Sequence, residues 1–403
     1  MINIVFAGGG TGGHIYPGLA VVAELRKKLE DNGVSKDKYS IIWIGSKNGL
    51  DKDIVEKDGS IDKFIGIPCG KFRRYLSVKN FIDFFKIMAG FISSFFILLR
   101  LKPIILFSKG GFVSVPPCFA AKTLRIPVFT HECDFSPGLA TRLNSRCATK
   151  ILVSFEKTKS FFSEGKASKV VVTGNPVRPV FYSAEREKGL RFLNLQSISK
   201  NNDGFENDSS HVSEINEIPL LIVLGGSLGA VQINNLIYDT IDWLCDNFII
   251  VHQTGKADYE RFERLQSSHK NYHPYPFIYG EMPDVMAAAD IVLSRAGSNF
   301  LWECSVTGRP LVLIPLAGSG TRGDQVENAR FFESQGAAKV LVGESVTSDS
   351  LKAVLTEMKD EKVRNNLSEN VRKMSEGSKP ALAIADLMFE NVKGKLLDNV
   401  VKI

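Results

Sequence analysis

The chain is poor in the residues that build metal centres and covalent staples: six cysteines and six histidines are spread over 403 residues. Cys69, Cys118, Cys133, Cys147, Cys245 and Cys304 form no C-x-x-C pair and have no histidine at zinc spacing, which excludes a disulfide framework or a structural metal as the organising device. His269 and His273 sit in polar stretches without a ligand pattern. Charge of one sign is not in excess either. Fifty Lys and Arg stand against 44 Asp and Glu, a net of +6, and no nucleic-acid motif accompanies it. That balance points to a phosphorylated substrate or an anionic membrane surface rather than to nucleic acid. The first residues read as a strand and not as a charged-then-apolar leader, so a cytoplasmic protein is expected. Long apolar runs are also lacking: Phe81 to Leu99 is interrupted by Asp83 and Lys86, and its unbroken part, Ile87 to Leu99, falls short of the roughly 20 residues of a spanning helix.

What is present is glycine in two dense clusters, Gly8-Gly9-Gly10-Thr11-Gly12-Gly13-His14 and Gly225-Gly226-Ser227-Leu228-Gly229-Ala230. Each follows a short β-branched run, Ile2 to Phe6 or Leu220 to Leu224, and precedes apolar residues at helical spacing, so each reads as strand, tight turn and helix. Such a unit binds phosphate, because glycine admits close backbone approach and the following helix offers free N–H groups at its positive end. Glycines also simply close strand-to-helix connections; the duplication, with Thr11, His14 and Ser227 inside the turns, favours function.

Further strand candidates alternate with helical segments: Ile41 to Ile44, Ile104 to Phe107, Val128 to Thr130, Ile151 to Val153 and Val170 to Thr173, then Ile249 to His252, Ile291 to Ser294, Leu311 to Ile314 and Lys339 to Val342. The expected fold class is α/β, with two Rossmann-like doubly wound parallel-sheet domains and a deep cleft between them. Length alone calls for two domains. Turn-forming Gly174-Asn175-Pro176-Val177 places the boundary, giving residues 1–176 and 177–377, with a C-terminal helix in 378–403 packing back on the first domain. The Asn- and Ser-rich stretch after Leu195, residues 197–217, is expected to be a surface loop without a catalytic role.

Several polar residues fall at expected carboxyl ends of strands, where such folds bind ligands. Glu303, early in a helix starting at Ser298, suits the two hydroxyls of a ribose, although acidic residues are common in first helical turns for dipole reasons alone. Arg178 after the boundary turn can reach a diphosphate or be a solvated surface charge, and Asp324 with Gln325 can meet sugar hydroxyls or belong to a plain loop. His14 is placed to act as a base or to cap a helix, and His131-Glu132 is a candidate for the expected cleft or a structural hydrogen-bonding pair. The greasy segment Phe81 to Leu99, with Lys71, Arg73, Arg74, Lys79, Arg100 and Lys102 around it, suits a helix resting on anionic headgroups; a buried helix between strands is the alternative.

In chain order these features resemble the MurG family of GT-B glycosyltransferases, glycosyltransferase family 28. The matching motifs are Gly8 to His14 with Pro17-Gly18-Leu19-Ala20, Gly110-Gly111-Phe112-Val113-Ser114, His131-Glu132, Gly174-Asn175-Pro176-Val177-Arg178, Gly225 to Ala230, His252-Gln253-Thr254-Gly255-Lys256, and Ser294-Arg295-Ala296-Gly297 followed by Glu303. The resemblance implies an inverting, metal-free and cofactor-free transfer of GlcNAc from UDP-GlcNAc to the C4 hydroxyl of MurNAc in lipid I, giving lipid II for the cell wall. It implies that Thr11, Gly12 and Gly13 line the sugar end of the donor, that Arg178 and Ser227 meet the diphosphate, and that Glu303 binds the ribose. It also implies that the turn from Ser298 meets the nucleotide, that Gln325 meets the GlcNAc, and that Tyr279, or Ile278 with a shifted gap, meets the uridine. His14 is the candidate base. The family usually shows His-Glu-Gln-Asn where this chain has His131-Glu132-Cys133-Asp134, and an ionised Asp134 cannot donate as an amide does. Partners implied are the two substrates, the inner face of the cytoplasmic membrane, and cell-wall synthesis and division proteins. The rival readings are another UDP-sugar enzyme such as a UDP-GlcNAc epimerase, or a non-catalytic nucleotide-binding scaffold. A dinucleotide oxidoreductase is disfavoured, since Gly45-Ser46 stands where an acidic residue would end the second strand.

Overall fold

The computed structural model describes residues 2–71, 78–195, 218–226, 229–318 and 321–401. The chain divides into two compact units, Met1–Arg178 with Gly377–Ile403, and Pro179–Glu376.

The first unit holds a seven-stranded parallel sheet of β1 (Ile2–Ala7), β2 (Tyr39–Ser46), β3 (Lys63–Ile67), β4 (Ile105–Ser108), β5 (Val128–Glu132), β6 (Lys150–Val153) and β7 (Val170–Val172), in the order β3-β2-β1-β4-β5-β6-β7. Strands buried on both faces need apolar residues at every position, which explains runs such as Ile2 to Ala7. Parallel register sets Ile4 opposite both Ile41 and Ile105. On one face Phe6, Trp43, Phe107 and Phe129 meet Leu19, Val22, Leu25 and Leu29 of helix Tyr16–Asp31. Gly18 lets that helix come close, since a Cβ there would lie 2.6 Å from the Trp43 ring. Helix Pro380–Val401 joins the same core through Ile384, Met388 and Phe389, each contributing about 1.5–3 kcal/mol by burial, with a Lys28–Asp386 ion pair of 2.8 Å at the rim.

The opposite face is covered by helix Val78–Leu101 and helix Val115–Thr123. The first of these is a single 24-residue helix, longer than the unbroken apolar run in the sequence. Asp83 and Lys86 do not break it because they lie one turn apart, with Asp83 tucked inward and Lys86 Nζ 3.6 Å from its Oδ1. The 21 residues Phe81–Leu101 are therefore long and apolar enough to span a bilayer by length and composition, which corrects the expectation from the interrupted run. Its inner side is nevertheless part of the unit: Ser94 and Leu98 are fully buried, and a Cβ on Gly90 would meet the Pro68 carbonyl oxygen at 2.4 Å. Phe81, Phe84, Phe85, Met88, Ile92, Phe96 and Leu99 stand exposed on the other side.

The second unit repeats the plan with β8 (Leu220–Leu224), β9 (Ile249–Gln253), β10 (Tyr272–Tyr275), β11 (Ile291–Ser294), β12 (Leu311–Leu313) and β13 (Ala338–Val340), all parallel, in the order β10-β9-β8-β11-β12-β13. In both sheets the strand order reverses beside the strand that feeds a glycine turn, between β1 and β4 and between β8 and β11. Ligands of open parallel sheets bind at that reversal.

Candidate active site

In the first unit Gly8 to His14 leaves β1, and Lys109-Gly110-Gly111 leaves β4 beside it. Gly12–His14 form a single tight turn, with His14 N–H donating to Thr11 O at 3.0 Å, directly before helix Tyr16–Asp31. The His14 ring lies against the second glycine pair: a Cβ on Gly111 would sit 2.8 Å from its Cδ2, and one on Gly110 3.8 Å from its Nδ1. Only a glycine at 111 leaves this space, and both residues are at positive φ, a conformation that favours glycine. Arg178 reaches the same region, its guanidinium 5.2 Å from the Tyr16 ring centre in a cation–π contact. Arg178 thus closes the first unit's sequence and stands at the first turn's helix, whereas the other residues assigned to the nucleotide lie in the second unit.

His131 and Glu132 are buried and do not face solvent, so the structural member of the two readings describes them. His131 Nε2–H donates to Gly174 O at 2.9 Å, because a carbonyl can only accept. Burial, reinforced by the nearby Lys109 charge, holds this imidazole well below its ordinary pKa. Glu132 accepts from Gly138 N–H at 2.8 Å and Asp134 N–H at 3.1 Å, while burial and then the Asp134 charge raise its pKa. Asp134 itself is half-buried. Lys109 was not singled out in the sequence. It is 1% exposed, its Nζ makes no hydrogen bond among the described residues, and its Cβ lies 3.4 Å from where a Cβ on Gly8 would be.

In the second unit Gly225 and Gly226 leave β8; Ser227 and Leu228 lie outside the described residues, so the Ser227 assignment has no structural account. Gly226 has φ +89°, and among the described residues nothing lies within 4 Å of a Cβ built there, at the sheet's reversal point. Gln253, at the end of β9, ties this turn to the next loop: its Nε2 donates to Gly226 O at 3.2 Å and its Oε1 accepts from Ile278 N–H at 2.9 Å. Ile278 is buried with its N–H engaged, whereas Tyr279 is exposed and leans on Phe277 with ring centres 4.6 Å apart. Of the two uridine candidates, Tyr279 is the accessible side chain.

Helix Ser298–Thr307 starts where β11 ends, with Ser298 buried in its first turn and Glu303 half-buried in its second. Gly308, at φ +65°, stops it. Gln325, in the first turn of helix Asp324–Ser334, accepts from Leu316 N–H at 2.9 Å through Oε1, which leaves its amide N–H2 to donate. Arg295, partly desolvated, donates to Gln232 Oε1 at 2.9 Å and Ile314 O at 3.0 Å and so braces the loop after β11.

Two parallel sheets, each with a glycine turn at its reversal point, define the GT-B class of fold. The first half of the chain, residues 4–153, matches the family model of the glycosyltransferase family 28 N-terminal domain, and residues 220–386 match that of the glycosyltransferase family 28 C-terminal domain. A protein of Treponema denticola named UDP-N-acetylglucosamine--N-acetylmuramyl-(pentapeptide) pyrophosphoryl-undecaprenol N-acetylglucosamine transferase is 48% identical over 96% of this chain and 96% of its own length. The crystal structure of Acinetobacter baumannii MurG superposes with a TM-score of 0.70 at 22% identity, covering 97% of this chain and all of that one. A putative UDP-N-acetylglucosamine 2-epimerase from Listeria monocytogenes superposes with a TM-score of 0.62 at 12% identity over 98% of this chain and 97% of that one, a likeness of fold alone. The chain belongs to glycosyltransferase family 28.

Proposed function

We propose that this protein transfers N-acetylglucosamine from UDP-GlcNAc to the C4 hydroxyl of the MurNAc unit of lipid I, forming lipid II. The observation that carries the reading is the near full-length likeness to a transferase named for that reaction, with the motifs falling at the reversal points of both sheets. In the inverting reaction His14 takes the proton of the attacking hydroxyl as its oxygen bonds to the anomeric carbon, and the bond from that carbon to UDP breaks with the electron pair leaving on the diphosphate. Glu303 accepts the ribose hydroxyls, Gln325 donates to the sugar, Tyr279 and the Ser298 turn meet the nucleotide, and the Gly225–Ala230 amides with Ser227 and Arg178 stabilise the leaving charge. Thr11, Gly12 and Gly13 line the sugar end of the donor, while Asp134 is a substrate-binding candidate at the position where the family carries an amide. The buried Lys109 charge makes the potential under the first turns favourable to the acceptor's own diphosphate.

Labelled GlcNAc transfer to a lipid I analogue, with and without a chelator, tests the reading. Metal-independent turnover is expected; turnover abolished by the chelator, or none at all, would refute it.

The same reading places the protein peripherally on the cytoplasmic face of the membrane, where its lipid-anchored acceptor lies. Helix Val78–Leu101 supports this: one side is packed in the unit while eight large apolar side chains, from Phe81 and Ile82 to Leu99, are exposed beside Arg100 and Lys102. Arg73 and Arg74 lie outside the described residues, as does the Lys79 side chain. Replacing Phe81, Phe85 and Phe96 by serine is expected to abolish co-sedimentation with anionic vesicles while leaving transfer to a soluble acceptor; undiminished sedimentation would contradict the placement. Cell-wall synthesis and division proteins are the further partners this reading calls for.

A further inference from the structure

The first glycine turn is organised around a carboxylate that the transfer reaction does not call on. Asp51 opens helix Asp51–Asp58, 41 residues beyond the turn, and is fully buried. Its Oδ1 accepts from Gly10 N–H at 2.9 Å and its Oδ2 from Ser46 N–H at 2.8 Å, so one side chain bridges the loops after β1 and β2. A Cβ on Gly9 would lie 1.8 Å from Oδ2, one on Gly45 3.2 Å from the Asp51 Cβ, and one on Gly49 3.6 Å from Oδ1. Gly9 is not at positive φ, so room for the carboxylate is what requires glycine there. A buried carboxylate is tolerable only when hydrogen-bonded, and two charge-assisted N–H bonds at the start of its own helix meet that need.

In a nucleotide-binding turn the freed amides face an incoming phosphate. Here the Gly10 amide already holds an internal anion. Beyond Gly10 the chain runs through Thr11 into the tight turn that ends on His14, where Gly111 again leaves no room for a side chain, its Cβ position being 2.7 Å from Gly9 O and 2.8 Å from the His14 ring. The loop is therefore fixed at Gly10 by Asp51 and at its far end by the Gly110-Gly111 pair.

We infer that Asp51 is a positioning residue for transfer: its carboxylate fills the anion position of the first glycine turn, keeps a nucleotide phosphate out of it, and sets the backbone that carries Thr11 to His14. This rests on the proposed role of His14. The substitution D51N keeps the shape but turns an N–H2 group toward one of the two backbone donors. In the full-length enzyme it is expected to lower kcat about 10- to 100-fold through misplacement of the base, with the Kd of UDP, which lacks the sugar, staying within about twofold. D51E, which retains the charge, is expected to recover part of the lost kcat. Unchanged kcat in folded D51N, or a weakening of UDP binding that matches the fall in kcat, would overturn the inference.

A second measurement needs no variant. UDP added to the unsubstituted protein is expected to slow amide exchange at Gly225 to Ala230 and to leave the Gly9 to His14 amides unchanged; slowed exchange at Gly10 would overturn the inference even if D51N does not fold. Absence of transfer by the unsubstituted enzyme would instead count against the proposed function, so the two failures are distinguishable.

Discussion

Gly8 to His14 and Gly225 to Ala230 occupy the same place in their sheets, yet they are filled differently. In the first turn the protein's own groups press on the glycines: the Asp51 carboxylate on Gly9, the Phe112 ring on Gly10, the His14 carbonyl on Gly8. In the second, Gly225 and Gly229 are likewise crowded, by the Ala230 amide and the Thr254 carbonyl, but Gly226 meets nothing within 4 Å among the described residues, and its carbonyl is held by Gln253. A glycine-rich turn is thus a statement about close approach, and the approaching group can be a ligand or the protein itself. In the first turn an internal carboxylate takes the Gly10 amide; in the second the open position is Gly226.

The sharpest way to break this comparison is to remove one functional side chain from each unit. His14→Ala is expected to lower kcat by about 10²- to 10⁴-fold with little change in KM for UDP-GlcNAc, the loss typical of a general base. Glu303→Ala should do the reverse, raising KM for UDP-GlcNAc about 10- to 100-fold, since hydrogen bonds to a charged acceptor contribute about 1.5–3 kcal/mol. Steady-state kinetics with both substrates varied decides the matter; identical signatures for the two variants would erase the division of labour.

A smaller effect separates the glycines themselves. Gly226→Ala meets no neighbour and incurs only left-handed backbone strain of about 1–2 kcal/mol. Gly9→Ala has no such strain but drives a methyl into Asp51, adding overpacking of about 1–3 kcal/mol to the disturbance of two buried hydrogen bonds. Denaturant unfolding should rank Gly9→Ala as the more destabilised protein, and the opposite ranking would show that the first turn is not self-filled.

The smallest contrast is in acid, where the units should behave alike. Burial holds His252 uncharged, its pKa lowered to about 3, with Tyr272 O–H donating to Nδ1 at 2.8 Å and Nε2–H donating to Asn234 Oδ1 at 3.2 Å. His131 is shifted the same way in the first unit. An unfolded histidine gains its proton near pH 6.5 and these folded ones do not, so the stability they contribute is complete above pH 6.5 and falls as pH drops below it. The slope is about 1.4 kcal/mol per pH unit for each. Unfolding followed through Trp43 in one unit and Trp243 and Trp302 in the other checks this, and stability independent of pH between 6.5 and 4.5 would contradict it.

The strands at the centre of both sheets were legible because double burial leaves an unmistakable apolar signature. The edge strands Lys63–Ile67 and Tyr272–Tyr275 were not. Both are half-exposed, one begins with lysine, and the other contains Pro274, which is tolerated only because an edge strand needs fewer ladder bonds. The local setting of the proposed site residues was legible where a motif is local, as for His14 in its turn or Glu303 in its helix. Asp51 and Lys109 escaped notice, and Gln253 was met only as part of a motif, because each acts on a backbone remote in sequence or through burial, neither of which leaves a periodic trace. Asp51 did offer one signal, an acid opening the helix after β2.

The α/β class, the central strands with their glycine turns, and the family follow from the amino-acid sequence by itself, since periodicity and turn chemistry are local properties written every two to four residues. Which glycine turn closes on an internal carboxylate, which histidine is buried rather than presented, and which side of helix Val78–Leu101 stays bare were decided only by tertiary structure. Those outcomes depend on what the folded chain brings within a few ångströms from tens of residues away, and close packing permits only one group in each such place.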